Sequence, residues 1–105
     1  MEIKRYKVTY LSTFYTDLSE IIEYFQNDLR NNLAAEKFLD DVENAVLKRS
    51  KTPLILPPVY INTTLDLCFF RIIVSNYSIY YVVNNDNIEF RRIIHNKRDI
   101  NTSQL

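Results

Sequence analysis

The 105-residue sequence contains no glycine, and that absence excludes whole classes of chemistry. A Walker-type phosphate loop, a dinucleotide-binding turn and an EF-hand loop each need glycine at fixed positions, for positive φ or for close backbone approach. Asparagine clusters where turns are needed, at Asn31-Asn32, Asn76, Asn84-Asn85-Asp86-Asn87 and Asn96. It is the non-glycine residue that best tolerates left-handed backbone, so we expect it to take glycine's place.

Cysteine is almost as scarce. A lone Cys68, set among Leu67, Phe69 and Phe70, rules out an internal disulfide and predicts a buried, inert thiol. One histidine, one cysteine and acids spread along helix faces do not make a metal site, and no metal or cofactor is expected. No apolar run approaches the roughly 18 residues of a membrane span, and the opening Met-Glu-Ile-Lys-Arg-Tyr is not followed by the apolar core of a signal peptide. The expectation is a soluble cytoplasmic protein without a membrane partner. Its length fits one domain over 1–105, with 47% hydrophobic residues to build one core.

Net charge is zero, but the charges are unevenly placed. Residues 15–46 hold eight acids against two bases, a local charge of −6, so the remainder carries +6. The bases fall in three groups: Lys4-Arg5-Lys7, Lys48-Arg49-Lys51, and Arg71 with Arg91-Arg92 and Lys97-Arg98. If these converge, one side of the molecule attracts phosphate while the other repels it.

Residues 3–11 alternate Tyr6, Val8 and Tyr10 against Arg5, Lys7 and Thr9, the period-two pattern of a half-buried strand. From Ser12 the period lengthens: Phe14, Leu18, Ile21, Phe25 and Leu29 form one helical stripe. Ser12, Thr13 and Thr16 are candidate N-caps, and Asp17 and Glu20 suit the positive end of the helix dipole. After Asn31-Asn32, a second face of Ala34, Ala35, Phe38, Val42, Ala45 and Val46 runs to Thr52-Pro53, where proline disfavours helix in the residue before it. The short connection makes the helices an antiparallel hairpin.

Residues 53–66 hold all three prolines and read as an extended crossing loop. Three β-rich runs follow, at 67–74, 78–83 and 88–95, joined by turns at Ser75-Asn76-Tyr77 and Asn84–Asn87 as an antiparallel meander. In the last run Ile88, Phe90, Arg92 and Ile94 share one face, and Glu89, Arg91, Ile93 and His95 the other. The helical hairpin can bury its stripe only on one sheet face, which predicts an α+β two-layer domain of order β-α-α-β-β-β on a twisted antiparallel sheet.

These residues resemble the RelE/ParE toxin superfamily over roughly residues 6–99. The resemblance is carried by Asp17-Leu18-x-x-Ile21-x-x-Tyr24, by Ala34-Ala35-x-x-Phe38, and by Arg71-x-x-Val74-x-Asn76-Tyr77-x-Ile79-x-Tyr81-x-Val83. The fourth piece is Ile88-x-Phe90-x-Arg92-Ile93-Ile94-His95-x-x-Arg98-Asp99. It implies the toxin of a type II toxin–antitoxin system, neutralised by a cognate antitoxin through an acidic or mixed-charge segment. RelE-like members cut messenger RNA on the ribosome; ParE-like members bind DNA gyrase. The family usually has glycine where this chain has Asn96, a tolerable departure if that residue turns left-handed.

Cleaving RNA through the ribose 2′-hydroxyl needs a base, an acid and cations on the phosphate. His95, the only histidine, has the pKa range for proton transfer, and Arg71, which interrupts an apolar strand, can hold phosphate bidentately. These two are the candidate catalytic residues. Arg91, Arg92, Lys97 and Arg98 are candidates for binding target or nucleic acid, with Arg92 open between that role and an ion pair under the helices. Tyr77 and Tyr81 match family aromatics and, if exposed, can stack on bases. Against the nuclease, the position after the Asn-Tyr turn is Ser78 where RelE has an arginine, and the strand of Arg71 lacks RelE's alternating lysines. Two readings therefore stand: an inhibitor that binds a macromolecular target such as gyrase, and an endoribonuclease using His95 with Arg71, Arg91 and Arg98 on phosphate.

Overall fold

The change of hydrophobic period at Ser12 is where strand gives way to helix in the computed structural model, which describes residues 5–97 and 104–105. Strand β1 (Lys7–Tyr10) leads into helix α1 (Ser12–Glu23), which runs on through a π-helical turn at Tyr24–Asp28. The Leu29 N–H donates back to the Tyr24 carbonyl, widening that turn. Helix α2 (Asn32–Lys51) returns antiparallel, and its N-terminus is capped by Asn31, whose Oδ1 accepts from the Ala34 N–H at 3.0 Å. Of the stripes that the periodicity predicts, Phe14 and Ile21 of α1 and Ala35, Phe38, Val42 and Val46 of α2 are buried and Leu18 and Phe25 are half-buried, whereas Leu29, just past the π-helical turn, is 50% exposed.

The helices cover one face of a five-stranded sheet completed by β2 (Tyr60–Asn62), β3 (Leu67–Val74), β4 (Tyr77–Asn84) and β5 (Asn87–His95), in the order β1-β5-β4-β3-β2. The meander β3 to β5 is antiparallel as expected and β2 joins it antiparallel to β3, whereas β1 pairs parallel with β5 along Lys7↔Asn87 to Tyr10↔Phe90, so the sheet is mixed. Parallel pairing needs a long crossover, and here the helical hairpin and strands β2, β3 and β4 all lie between the partners. The short strand β2 falls within the predicted loop 53–66.

Two further expectations are corrected. Among the described residues, left-handed backbone falls on Arg30, Asp66, Ser75 and Asn85, so asparagine takes one of these four places. Asn96 is not among them. Its backbone N–H donates to the Asn76 carbonyl and its side-chain oxygen accepts from the Ser78 hydroxyl, which fastens it to β4 and the hairpin before it. Cys68 is exposed. It points to the helix side like Phe70 and Ile72, but it lies opposite exposed Ile61 at a sheet corner the helices do not reach.

Between Tyr80↔Arg92 and Tyr81↔Phe90 the β4–β5 register slips, leaving Arg91 unopposed as a β-bulge. The bulge reverses the alternation beyond it. Ile88, Phe90 and Ile93 lie beneath the helices with Ile79 and Tyr81, whereas Ile94 joins Phe69, Tyr80, Val82 and Leu105 in a second cluster on the outer face. The predicted face sharing of Ile88 and Phe90 with Arg92 and Ile94, and of Glu89 and Arg91 with Ile93 and His95, is therefore broken at the bulge.

Candidate functional site

Strand β1 ends opposite Phe90, so the backbone edge of β5 past that point lacks a neighbouring strand among the described residues. Helix α1 supplies the missing partners. The Thr13 hydroxyl donates to the Arg91 carbonyl at 2.8 Å, and the Ile93 N–H donates to Asp17 Oδ2 at 2.9 Å. Asp17 also accepts from Arg92 Nε at 2.7 Å and from Arg92 Nη2 at 3.1 Å, a bidentate pair on a carboxylate that is only 9% exposed. The three hydroxyl candidates for capping α1 do not cap it: Leu11 holds the cap position without a side-chain bond. Thr13 and Asp17 instead fasten α1 to β5, a use of these residues that helix-capping reasoning misses.

Arg92 is thus committed to structure. Its Nη1 donates to the Gln104 carbonyl at 3.1 Å, and the hydrogen-bonded carboxylate of Asp17 raises its pKa further, against the opposing effect of burial.

His95 closes β5 on the helix side of the sheet, opposite Tyr77, with the two rings edge to face at 5.0 Å. The Lys97 N–H donates to His95 Nδ1 at 3.1 Å, which in the neutral ring leaves the proton on Nε2. A depression of about 150 Å³ joins His95 to Asp17, Glu20, Tyr77 and Arg92. Its two carboxylates and a guanidinium already paired make poor surroundings for a phosphate gaining negative charge.

Arg71 stands elsewhere. It is exposed on β3 opposite Tyr80, whose side chain belongs to the outer cluster, so Arg71 and His95 lie on opposite faces of the sheet. Arg91 is also on the outer face, where its guanidinium sits 5.5 Å over the Phe69 ring, pairs with Glu89 at 2.6 Å and donates to the Leu105 carbonyl at 2.6 Å. Lys97 is exposed in the turn after β5. Arg98 lies outside the described residues.

The two tyrosines part as well. Tyr77 is half-buried on the helix side between Phe38 and His95, and burial, followed by the nearby Tyr24, raises its pKa. Tyr81 is fully buried, stacked on Phe70 at 5.3 Å, which corrects the expectation of an exposed ring that stacks on bases. Its hydroxyl donates to the Pro53 carbonyl at 2.6 Å and accepts from Arg49 Nη1 at 3.1 Å, tying the start of the crossing loop to the core. Burial raises the Tyr81 pKa, with Arg49 pulling against it. Among the described residues, no group of three or more His, Cys, Asp and Glu side chains can hold a metal ion, and no helix is long and apolar enough to cross a membrane.

The chain is a two-helix hairpin on one face of a five-stranded mixed sheet, with an arginine of the last strand clasped by an aspartate of the first helix, and its sequence places it among toxins of the RelE/ParE superfamily. The family model described as ParE toxin of type II toxin-antitoxin system, parDE, matches residues 8–100, and the chain belongs to that family. Among solved structures, it is similar to a chain of the chromosomal ParDE toxin–antitoxin system from P. aeruginosa. The TM-score is 0.67 at 14% identity, over 86% of this chain and 95% of that one. A chain of the RelB-RelE antitoxin-toxin complex from Methanococcus jannaschii aligns at TM-score 0.47 and 26% identity, over 85% of this chain and 91% of that one. No curated protein matches the chain.

Proposed function

We propose that this toxin arrests growth by binding a macromolecular target such as DNA gyrase, in the ParE manner, rather than by cutting RNA on the ribosome, and that a cognate antitoxin neutralises it. The observation that carries this reading is the sheet itself, which lies between His95 on the helix side and Arg71 and Arg91 on the outer face. Acid, base and phosphate cation must meet within hydrogen-bond reach of one phosphodiester, and residues on opposite faces do not. Arg92, which lines the same depression as His95, is already paired with Asp17. An inhibitor that acts by binding needs no such convergence.

The test is induction of the chain in growing cells with pulse labelling of DNA and protein. DNA synthesis falls first, and His95→Ala and Arg71→Ala each arrest growth as the parent does. If protein synthesis stops first and His95→Ala abolishes that arrest, the nuclease reading replaces this one.

A further inference from the structure

The acidic charge of the chain is concentrated on the helices, where residues 15–46 sum to −6. On α2, Glu36, Leu39, Asp40, Glu43 and Leu47 follow one another at helical spacing, which puts them on one side of the helix, and all five are exposed. Like charges three or four residues apart repel, so Glu36, Asp40 and Glu43 weaken the helix that carries them. Among the described residues none of the three has a cationic partner.

Beside this stripe a groove of about 340 Å³ opens between α1 and α2, next to the end of β1. Its floor is apolar, with Phe14 and Val42 buried, and its walls are Tyr10, Tyr15 and Leu39, which are 36%, 54% and 44% exposed. Exposed apolar surface rimmed by charge marks a place where another molecule binds. The Tyr10 ring lies 5.0 Å from that of Phe14 and 5.6 Å from that of Tyr15, so the aromatic surface is continuous. Glu43 stands at the rim. Burial raises the Tyr10 pKa, followed by Tyr15 and by Glu43, whose carboxylate is near enough to act on the phenol.

Aromatic walls, an apolar floor and an unpaired carboxylate suit arginine, whose apolar stem lies along the floor while its planar cation meets a ring face and a carboxylate together. A neutral segment would fill the groove but leave the acids of α2 uncompensated, and an acidic one would be repelled. We propose that the groove between α1 and α2 docks a basic, arginine-bearing segment of the toxin's target. This rests on the reading of the chain as an inhibitor that binds an enzyme acting on DNA, and such an enzyme carries surface cations to meet phosphate. One arginine enters between Tyr10 and Tyr15 and pairs with Glu43, while further cations of the segment face Asp40 and Glu36 along α2.

The probe is purified DNA gyrase, whose affinity is measured by surface plasmon resonance for the parent toxin and for Tyr15→Ala, Glu43→Lys and Asp28→Lys. All three positions are exposed, so the variants keep their fold, which circular dichroism melts check. Asp28 lies in the π-helical turn past the far end of α1, and its replacement changes net charge as Glu43→Lys does, which separates a contact in the groove from the general field of the molecule. The expected result is a loss of more than about tenfold in affinity for Tyr15→Ala and for Glu43→Lys, against less than about threefold for Asp28→Lys. Parental affinity in either folded groove variant overturns the proposal and leaves the gyrase reading standing. Equal weakening by Asp28→Lys and Glu43→Lys also overturns it, since net charge and not the groove then governs binding. If the parent toxin does not bind gyrase, the target reading fails and this proposal falls with it.

Discussion

Replacing Asp17 with asparagine tests the contact on which the seating of α1 depends. The carboxylate accepts three hydrogen bonds, two from Arg92 and one from the Ile93 N–H, and its side chain is 11% exposed beside an Arg92 side chain that is 22% exposed. Removing one partner of a buried pair costs about 3–5 kcal/mol, mostly because the other charge stays desolvated and unpaired. Asparagine keeps one acceptor for the Ile93 N–H, and the partial exposure of Arg92 lets water reach it, which reduces the expected loss to about 2–3 kcal/mol. For a domain of this size each kcal/mol lowers the thermal midpoint by roughly 4–8 °C. Melts of Asp17→Asn should therefore fall some 10–20 °C below the parent, with a matching shift of the urea midpoint. Arg92→Met and the double variant complete a cycle, in which a coupling of about 1.5–3 kcal/mol is expected between groups in direct contact. A loss below about 0.5 kcal/mol for Asp17→Asn, or a double variant equal to the sum of the singles, refutes the clasp as the fastening of α1 to β5.

Tyr81→Phe leaves the Pro53 carbonyl and Arg49 without their hydroxyl partner and should cost about 1–3 kcal/mol by urea denaturation at neutral pH. Because burial raises the phenol pKa, the proton is held longer in the folded chain than in the unfolded one. The resulting stability is present below the unfolded value of about 10 and is lost as pH rises through the raised one. The phenylalanine variant should therefore lose less stability than the parent between about pH 9 and 11, and equal slopes would contradict this. Cys68 should react with Ellman's reagent in the native protein, and a thiol that reacts only after denaturation would place it back in the core. Asn31→Ala removes the cap of α2 and should destabilise by about 1 kcal/mol in the same melts.

The helical hairpin was legible because burial on a helix repeats at a period that few other arrangements mimic. Phe14 and Ile21, then Phe38, Val42 and Val46, sit where their spacing puts them. What escaped is non-local. Nothing in residues 7–10 states that their neighbour is β5, eighty positions on, or that the pairing is parallel. Strand β2 is three residues long beside a proline pair, too short for alternation to register. Cys68 misled for a related reason: apolar neighbours in sequence predict burial only where another layer covers the strand, and the helices stop short of that corner.

The candidate site was legible in its residue types and not in their grouping, and the difference lies in one residue of register. Strict alternation along β5 places Arg91 with His95 on one face, the pairing a nuclease would need, and leaves Arg92 facing the helices with Ile94. The bulge at Arg91 undoes both. Arg91 stays on the outer face over Phe69, while His95 moves to the helix side against Tyr77. Arg92 still reaches an aspartate of the helices, as one of its two readings held, but from the open edge of the strand that Thr13 and Asp17 occupy in place of a neighbour. A bulge is fixed by what the partner strand and the edge demand, so its position is not written in the periodicity of the strand that carries it. Without that extra residue, His95 would share the outer face with Arg71 and Arg91; with it, His95 shares its depression with Arg92, a cation already paired with Asp17.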